Sequence, residues 1–144
     1  MKYLLCADYH VARNNGRLRR TIADILFNEG KMTRAAMAER LYEMGMFREV
    51  PSESSLAALI SKNAQIVSCG HEKVELSNGS IVRNMVFDID RDLIREESDL
   101  IHTRPFSSMT NREKEKAVRC DGCKQMRLME EGWVKCLPCF RRGV

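Results

Sequence analysis

Apolar stretches in this chain span only a few residues, as at Ile81-Val82 and Met85-Val86-Phe87. A membrane-crossing helix needs about 20 apolar residues, so none is expected. The opening residues Met1-Lys2-Tyr3-Leu4-Leu5-Cys6-Ala7-Asp8 carry one lysine and too short an apolar stretch for a secretory leader, whose core needs about 7–15 residues. A cytoplasmic protein is therefore expected. Histidine is scarce: His10, His71 and His102 are the only three, and none sits beside a nucleophile or within a ligand spacing. There is no glycine-rich phosphate loop, and no enzyme is expected. Asp88, Asp90 and Asp92 alternate and would suit a metal-dependent nuclease, but alternating acids after a strand read first as a solvated helix start.

What is present is an ordinary soluble composition, 44% hydrophobic and 31% charged over 144 residues. That allows one domain, or a small domain plus a metal-stapled module. The net charge of +4 is unevenly placed. Residues 1–103 carry 14 basic and 15 acidic side chains, whereas residues 104–144 carry 10 and 5. The basic excess of the C-terminal part points to an anionic partner or a solvated tail. Four of the six cysteines form two C-x-x-C pairs, and Cys6 and Cys69 stand alone. Such clustering fits a reducing compartment and a metal better than a disulfide framework.

Along the chain, residues 1–16 form an N-terminal arm, with Met1 to Val11 either strand or short helix and a break at Asn14-Asn15-Gly16. A dimer-forming role is open to this arm. Arg17 to Glu29 reads as helix, with Leu18, Ile22, Ile25 and Leu26 on one face and Gly30 as the stop. Thr33 caps a second helix over Arg34 to Met44, striped by Met37, Leu41 and Met44 and ended by Gly45. Ser52 caps a third, with Glu53 in its first turn, Leu56, Leu59 and Ile60 inward and Asn63 at its end. The pattern then changes. Gln65 to Cys69, Lys73 to Leu76 and Ile81 to Phe87 are strand-like. Asn78-Gly79 between the last two predicts a hairpin with a type I′ turn. Leu93, Ile94, Leu100 and Ile101 suggest a further helix within Asp88 to His102. Residues 104–116 read as a linker with a short helix starting near Asn111. The domain boundaries follow: 17–103, 104–116 and 117–144.

The strongest motif is Cys120-Asp121-Gly122-Cys123, twelve residues, then Cys136-Leu137-Pro138-Cys139. Four thiolates hold a tetrahedral ion at about 2.3 Å, and two intervening residues let one turn aim two sulfurs at it. One structural zinc is expected, because four cysteines leave no open position for a substrate water. Iron is the competing metal. A redox C-x-x-C would need a βαβ setting that is absent. Lys124 to Met129 and Trp133 to Lys135 read as two strands joined at Glu130-Glu131-Gly132. About 25 residues with no second core must be held by the metal, worth roughly 10–16 kcal/mol in finger peptides.

These four cysteines resemble the zinc-ribbon family, including zinc knuckles and short treble-clef-like modules, whose members bind nucleic acid or dock onto machines such as RNA polymerase. Arg17 to Asp88, three helices and an Asn-Gly hairpin, resembles a winged helix-turn-helix. The fold class is then α+β: a winged helix-turn-helix with a small C-terminal zinc-ribbon module. In that family the third helix lies in the DNA major groove. The resemblance assigns Ser54, Ser55, Ala58, Ser61, Lys62 and Asn63 to the outward reading face, and Lys73 and Arg83 to the wing. Arg17, Arg19, Arg20 and Arg34 offer further phosphate contacts or a solvated face. In the zinc module, Lys124, Arg127, Lys135, Arg141 and Arg142 would add phosphate contacts.

Two functions follow. One is a DNA-binding transcriptional regulator on duplex DNA. The other is a non-enzymatic adaptor docking onto RNA polymerase or a replication machine, since the module order is similar to that of transcription factor E. Cys69 and His71 lack two partners at ligand spacing and read as strand and turn residues. The DNA site, activation or repression, and the oligomeric state are not encoded in any motif.

Overall fold

The computed structural model describes residues 16–47 and 49–143, so the arm expected over residues 1–16 lies outside the described residues except for Gly16. The described chain is mixed helix and antiparallel sheet, as an α+β fold requires. Helix α1 runs over Gly16–Glu29. Its apolar face buries Ile22, Ile25 and Leu26, and Gly30 ends it at φ 94 with its N–H bonded to the Leu26 carbonyl at 3.0 Å. The two-residue strand β1, Met32–Thr33, leads into α2, Arg34–Met44. The Thr33 side chain accepts from the Ala36 N–H, and Gly45 at φ 64 closes the helix. Helix α3, Glu53–Lys62, starts at Ser52, whose side chain accepts from the Ser55 N–H, and ends at Asn63. These caps and stripes agree with the sequence expectations.

Leu26, Leu41 and Leu56 are fully enclosed where the three helices meet. Each such side chain contributes about 1.5–3 kcal/mol by leaving water. The sheet closes the core from one side. Strands β2, Ile66–Glu75, and β3, Ile81–Ile89, form a long hairpin, and β1 adds to the outer edge of β3, giving the order β1-β3-β2. Ile66 and Ile89, paired at its base, are buried; further out the hairpin leaves the core and is exposed. A bulge falls between Ser68 and His71, where Gly70 takes φ 116.

Four expectations change. The hairpin turn is not type I′. Gly79 has positive φ and Asn78 does not, and the Leu76 N–H bonds to the Ser80 carbonyl. This is the three-residue loop with glycine in the left-handed position. Residues 90–98 are turns rather than helix, and helix α4 is only Asp99–His102. Leu93, Ile94 and Leu100 are nonetheless buried, while Ile101 is exposed. Apolar residues inside a series of turns imitate a helical stripe. The stretch read as a linker is ordered: a 3-10 turn at Phe106–Ser108, with Ser108 and Met109 buried, precedes helix α5, Asn111–Lys116, which starts where a short helix is expected. A reciprocal Thr110–Glu113 capping box starts α5. Finally, Trp133 to Lys135 is not a strand. The hairpin of the cysteine module pairs β4, Val118–Arg119, with β5, Met126–Arg127, on either side of the first cysteine pair. The second pair runs instead into helix α6, Leu137–Arg142. No helix among the described residues is long and apolar enough to cross a membrane.

Candidate functional site

Cys120 follows β4, and the turn Cys120 to Cys123 brings the chain back toward β5. Cys136 is the N-cap of α6, and Cys139 lies one turn further along it. Pro138 sits in that first turn, where its missing N–H costs no helix bond. The four ligand atoms lie within 4.8 Å of one another. Cys120 Sγ is 3.6 Å from Cys139 Sγ, and Cys123 Sγ is 3.7 Å from Cys136 Sγ. Four sulfurs at about 2.3 Å from a shared tetrahedral ion stand about 3.8 Å apart. The four cysteines can therefore hold one metal ion, and these two separations are far too long for a sulfur–sulfur bond.

The backbone prepares the site for an anion. The N–H groups of Gly122, Cys123 and Cys136 point at Cys120 Sγ at 3.2, 3.5 and 3.2 Å. Burial opposes ionisation of Cys120, but the N–H groups of Cys136, Cys123 and Gly122 outweigh it and bring the thiol down to about 6. Burial pushes Cys136 up to about 12 and also raises Cys139. One thiolate forms readily and its neighbours resist, as expected when one negative charge is shared among close sulfurs. A bound cation relieves that resistance.

Gly122 is required for space rather than for φ. A Cβ there would meet Cys139 Sγ at 3.1 Å, the Cys139 Cβ at 3.4 Å and Cys120 Sγ at 3.6 Å. Gly122→Ala is expected to weaken metal retention about ten- to hundred-fold, the cost of one overpacked methyl at a fixed centre. Competition with a chromogenic chelator measures it, and an unchanged affinity would show that the turn yields.

The module is anchored to the helical part by the basic residues expected to face a nucleic acid. Arg141 Nη1 bonds to Asp99 Oδ2 at 2.7 Å and to the Leu93 carbonyl. Arg127 Nη1 donates to the carbonyls of Thr103 and Arg104 at 3.3 and 3.4 Å. His102 Nδ1 lies 2.7 Å from the Leu128 carbonyl, and its ring stacks obliquely on Trp133. Arg127 and Arg141 are thus internal ties, a correction to their expected role. Lys124, Lys135 and Arg142 are exposed.

On α3, Ser54, Ser55, Ala58, Ser61 and Lys62 are exposed as expected, but Asn63 is not outward. Asn63 is 2% exposed, donates to the Arg19 carbonyl at 3.3 Å and accepts from the Gln65 N–H at 3.3 Å. Its backbone N–H bonds to the Ile60 carbonyl as the C-cap of α3, while its side chain ties the following turn to α1. Arg19 is likewise buried, at 2% exposure, rather than open to a nucleic-acid backbone approaching from solvent.

Beside α3 runs a groove of about 440 Å³, walled by Arg34, Ala57, Ser61, Ser68 and Met85. Alternation along β3 places Arg83 on the same face as Met85, and Lys73 lies directly opposite Arg83 across the hairpin. Like charges in that position repel. Among the described residues, Arg34, Lys62, Lys73 and Arg83 have no ion-pair partner. The groove was not legible in the sequence. Its only trace is the shared parity of Arg83, Met85 and Phe87. Asp88 pairs with Arg91 at 3.1 Å. Among the described residues, only the four cysteines form a group that could hold a metal ion.

No protein-family model, curated protein or solved structure matches this chain.

Proposed function

We propose that this protein is a non-enzymatic, duplex-DNA-binding regulator whose α3 and β2–β3 hairpin contact the DNA and whose four cysteines hold one structural zinc. The observation that carries this reading is the groove between α3 and the hairpin, with Arg34 in its wall, Arg83 and Lys73 further out on the same face of the hairpin, and Lys62 on the exposed face of α3, none of them ion-paired among the described residues. The order α1-β1-α2-α3-β2-β3 with sheet order β1-β3-β2 supports a winged helix-turn-helix. In such a fold an exposed α3 of small polar residues can approach base edges, while cations at its flanks meet phosphates. Four thiolates, two sulfur separations near those around a tetrahedral ion and no open coordination position suit a structural zinc, with iron the competing metal. A knuckle in a hairpin followed by a pair at a helix start is the treble-clef-like variant of the cysteine modules.

The test is a titration against labelled random duplex DNA at two salt concentrations. With about four phosphates neutralised, log K against log salt has a slope near −3.6, an affinity loss of about 100-fold between 50 and 200 mM. The K73E/R83E variant should lose about ten-fold or more at low salt and show a shallower slope. Salt-independent or absent binding sinks this reading.

One observation favours the adaptor as second reading. A largely apolar groove of about 390 Å³ on the cysteine module is lined by Trp133, Val134, Leu137 and Phe140, with Val134 67% and Phe140 77% exposed. Surfaces of that kind take an apolar anchor from a protein partner.

A further inference from the structure

Helix α1 carries a buried cation that meets no carboxylate among the described residues. Arg19 Nη1 donates to Ser107 Oγ at 2.9 Å, Nη2 donates to the Lys62 carbonyl at 3.1 Å, and Nε has no partner. None of its partners is a carboxylate. A guanidinium enclosed among neutral acceptors is less favourable than one that is ion-paired, and burial lowers its proton affinity. Next to it, Arg20 Nη1 donates to the Ser108 carbonyl at 2.5 Å. Lys114 lies 5.3 Å from the Phe106 ring centre, on the same turn. The nearby carboxylate of Glu113 is taken by Arg104 at 2.6 Å. Three cations thus converge on the turn Phe106–Ser108, and only Ser107 among its hydroxyls opens to solvent, since Ser108 is buried and donates to the Pro105 carbonyl.

From this geometry we infer that Ser107 is a phosphorylation site whose phosphoryl group is received by Arg19 and Arg20. In the reaction Ser107 Oγ attacks the γ-phosphorus of a nucleoside triphosphate on a kinase. The Oγ–P bond forms, the bond to the bridging oxygen breaks, the nucleoside diphosphate leaves and the hydroxyl proton goes to solvent. The product brings a charge of about −1.5 to −2 and three acceptor oxygens to the fork that now holds one neutral hydroxyl. Because Arg19 also holds the last carbonyl of α3, the phosphate ties the turn, α1 and the end of α3 together. It also adds negative charge near the exposed face of α3, so duplex affinity should fall; that consequence rests on the DNA reading, whereas the stability consequence does not.

The test uses the full, metal-loaded chain with phosphoserine installed at position 107, and at the exposed hairpin position Ser77 as control. Phosphoserine at 107 should raise the melting midpoint by about 3–6 °C, from one to three new charge-assisted bonds, and that at 77 should not. Phosphatase should release the phosphate at 107 about ten-fold more slowly than at 77. Arg19→Lys should cancel the gain, and the half-buried Arg20→Gln should reduce it in a chain that keeps Arg19. A midpoint that is unchanged or lowered at 107, a release rate equal at both positions, or a gain untouched by both arginine variants would overturn the assignment.

Discussion

Stripping the metal from the four cysteines is expected to unfold residues 117–143 while leaving the three-helix core folded but less stable. The two-residue strands β4 and β5 and the six-residue α6 cannot persist alone. Their buried cluster is Cys120, Cys136 and Cys139 with Met129 against them, so the metal site is itself the core. Binding free energy of about 10–16 kcal/mol in comparable peptides is therefore folding free energy here. The core of α1, α2, α3 and the sheet has its own apolar interior and survives. It does not survive unchanged, because Asp99, Thr103 and His102 lose their bonds to Arg141, Arg127 and the Leu128 carbonyl. Hydrogen exchange with and without chelator is the measurement. Protection should vanish over 117–143, drop over 93–103 and remain in α1 and α3. Protection retained over 117–143 without metal would contradict the metal-as-core account.

The second large effect is expected at the Arg141–Asp99 tie. Asp99 is 5% exposed, and its Oδ2 accepts from Arg141 Nη1 and from the N–H groups of Arg95 and Glu96. Arg141→Met removes the guanidinium and leaves a buried carboxylate short of its counter-charge, at a cost of about 3–5 kcal/mol. Asp99→Leu combined with Arg141→Met should cost less than the sum of the single changes, as coupled partners do. Thermal or urea unfolding of the four proteins measures the coupling, and strict additivity would show that the pair contributes nothing jointly. The pH dependence has a definite sign. Burial works to raise the Asp99 pKa, but the Arg95 N–H, the Arg141 side chain and the Glu96 N–H outweigh it and hold the group below the ordinary carboxylate value. A lowered folded-state pKa contributes stability that is complete above the unfolded value of about 3.9 and is lost as pH falls through the folded value. The wild-type chain should lose stability below about pH 4 in part through this residue, and the Asp99→Leu variant should lose less.

Three helices, their caps and their stripes were legible because each is a local rule. Thr33, Ser52, Gly30 and Gly45 act within one turn of their own positions. The cysteine cluster was legible because ligand spacing is a local rule too. What the sequence hid was long-range. Arg19 and Arg141 look like surface cations until the carbonyls of Lys62 and Leu93 are brought to them across the fold. Asn63 reads as an outward residue until the cap geometry turns it toward the Arg19 carbonyl. The turns over 90–98 imitate a helix because Leu93 and Ile94 are buried without one, just ahead of Leu100 in α4. The pairing partner of β5 was misplaced because Val118-Arg119 is too short to announce itself, and Trp133 was drawn into stacking on His102 instead of a strand.

The exposed face of α3 and the hairpin beside it bear most of the functional reading, so the most direct measurement is an amide chemical-shift map of the metal-loaded chain titrated with a random duplex at low salt. The account predicts shifts concentrated at Ser54, Ser55, Ala58 and Ser61 on α3 and at Lys73 and Arg83 on the hairpin, disappearing as salt rises. Shifts confined to the Trp133–Phe140 surface of the cysteine module, or none at any salt, would contradict it.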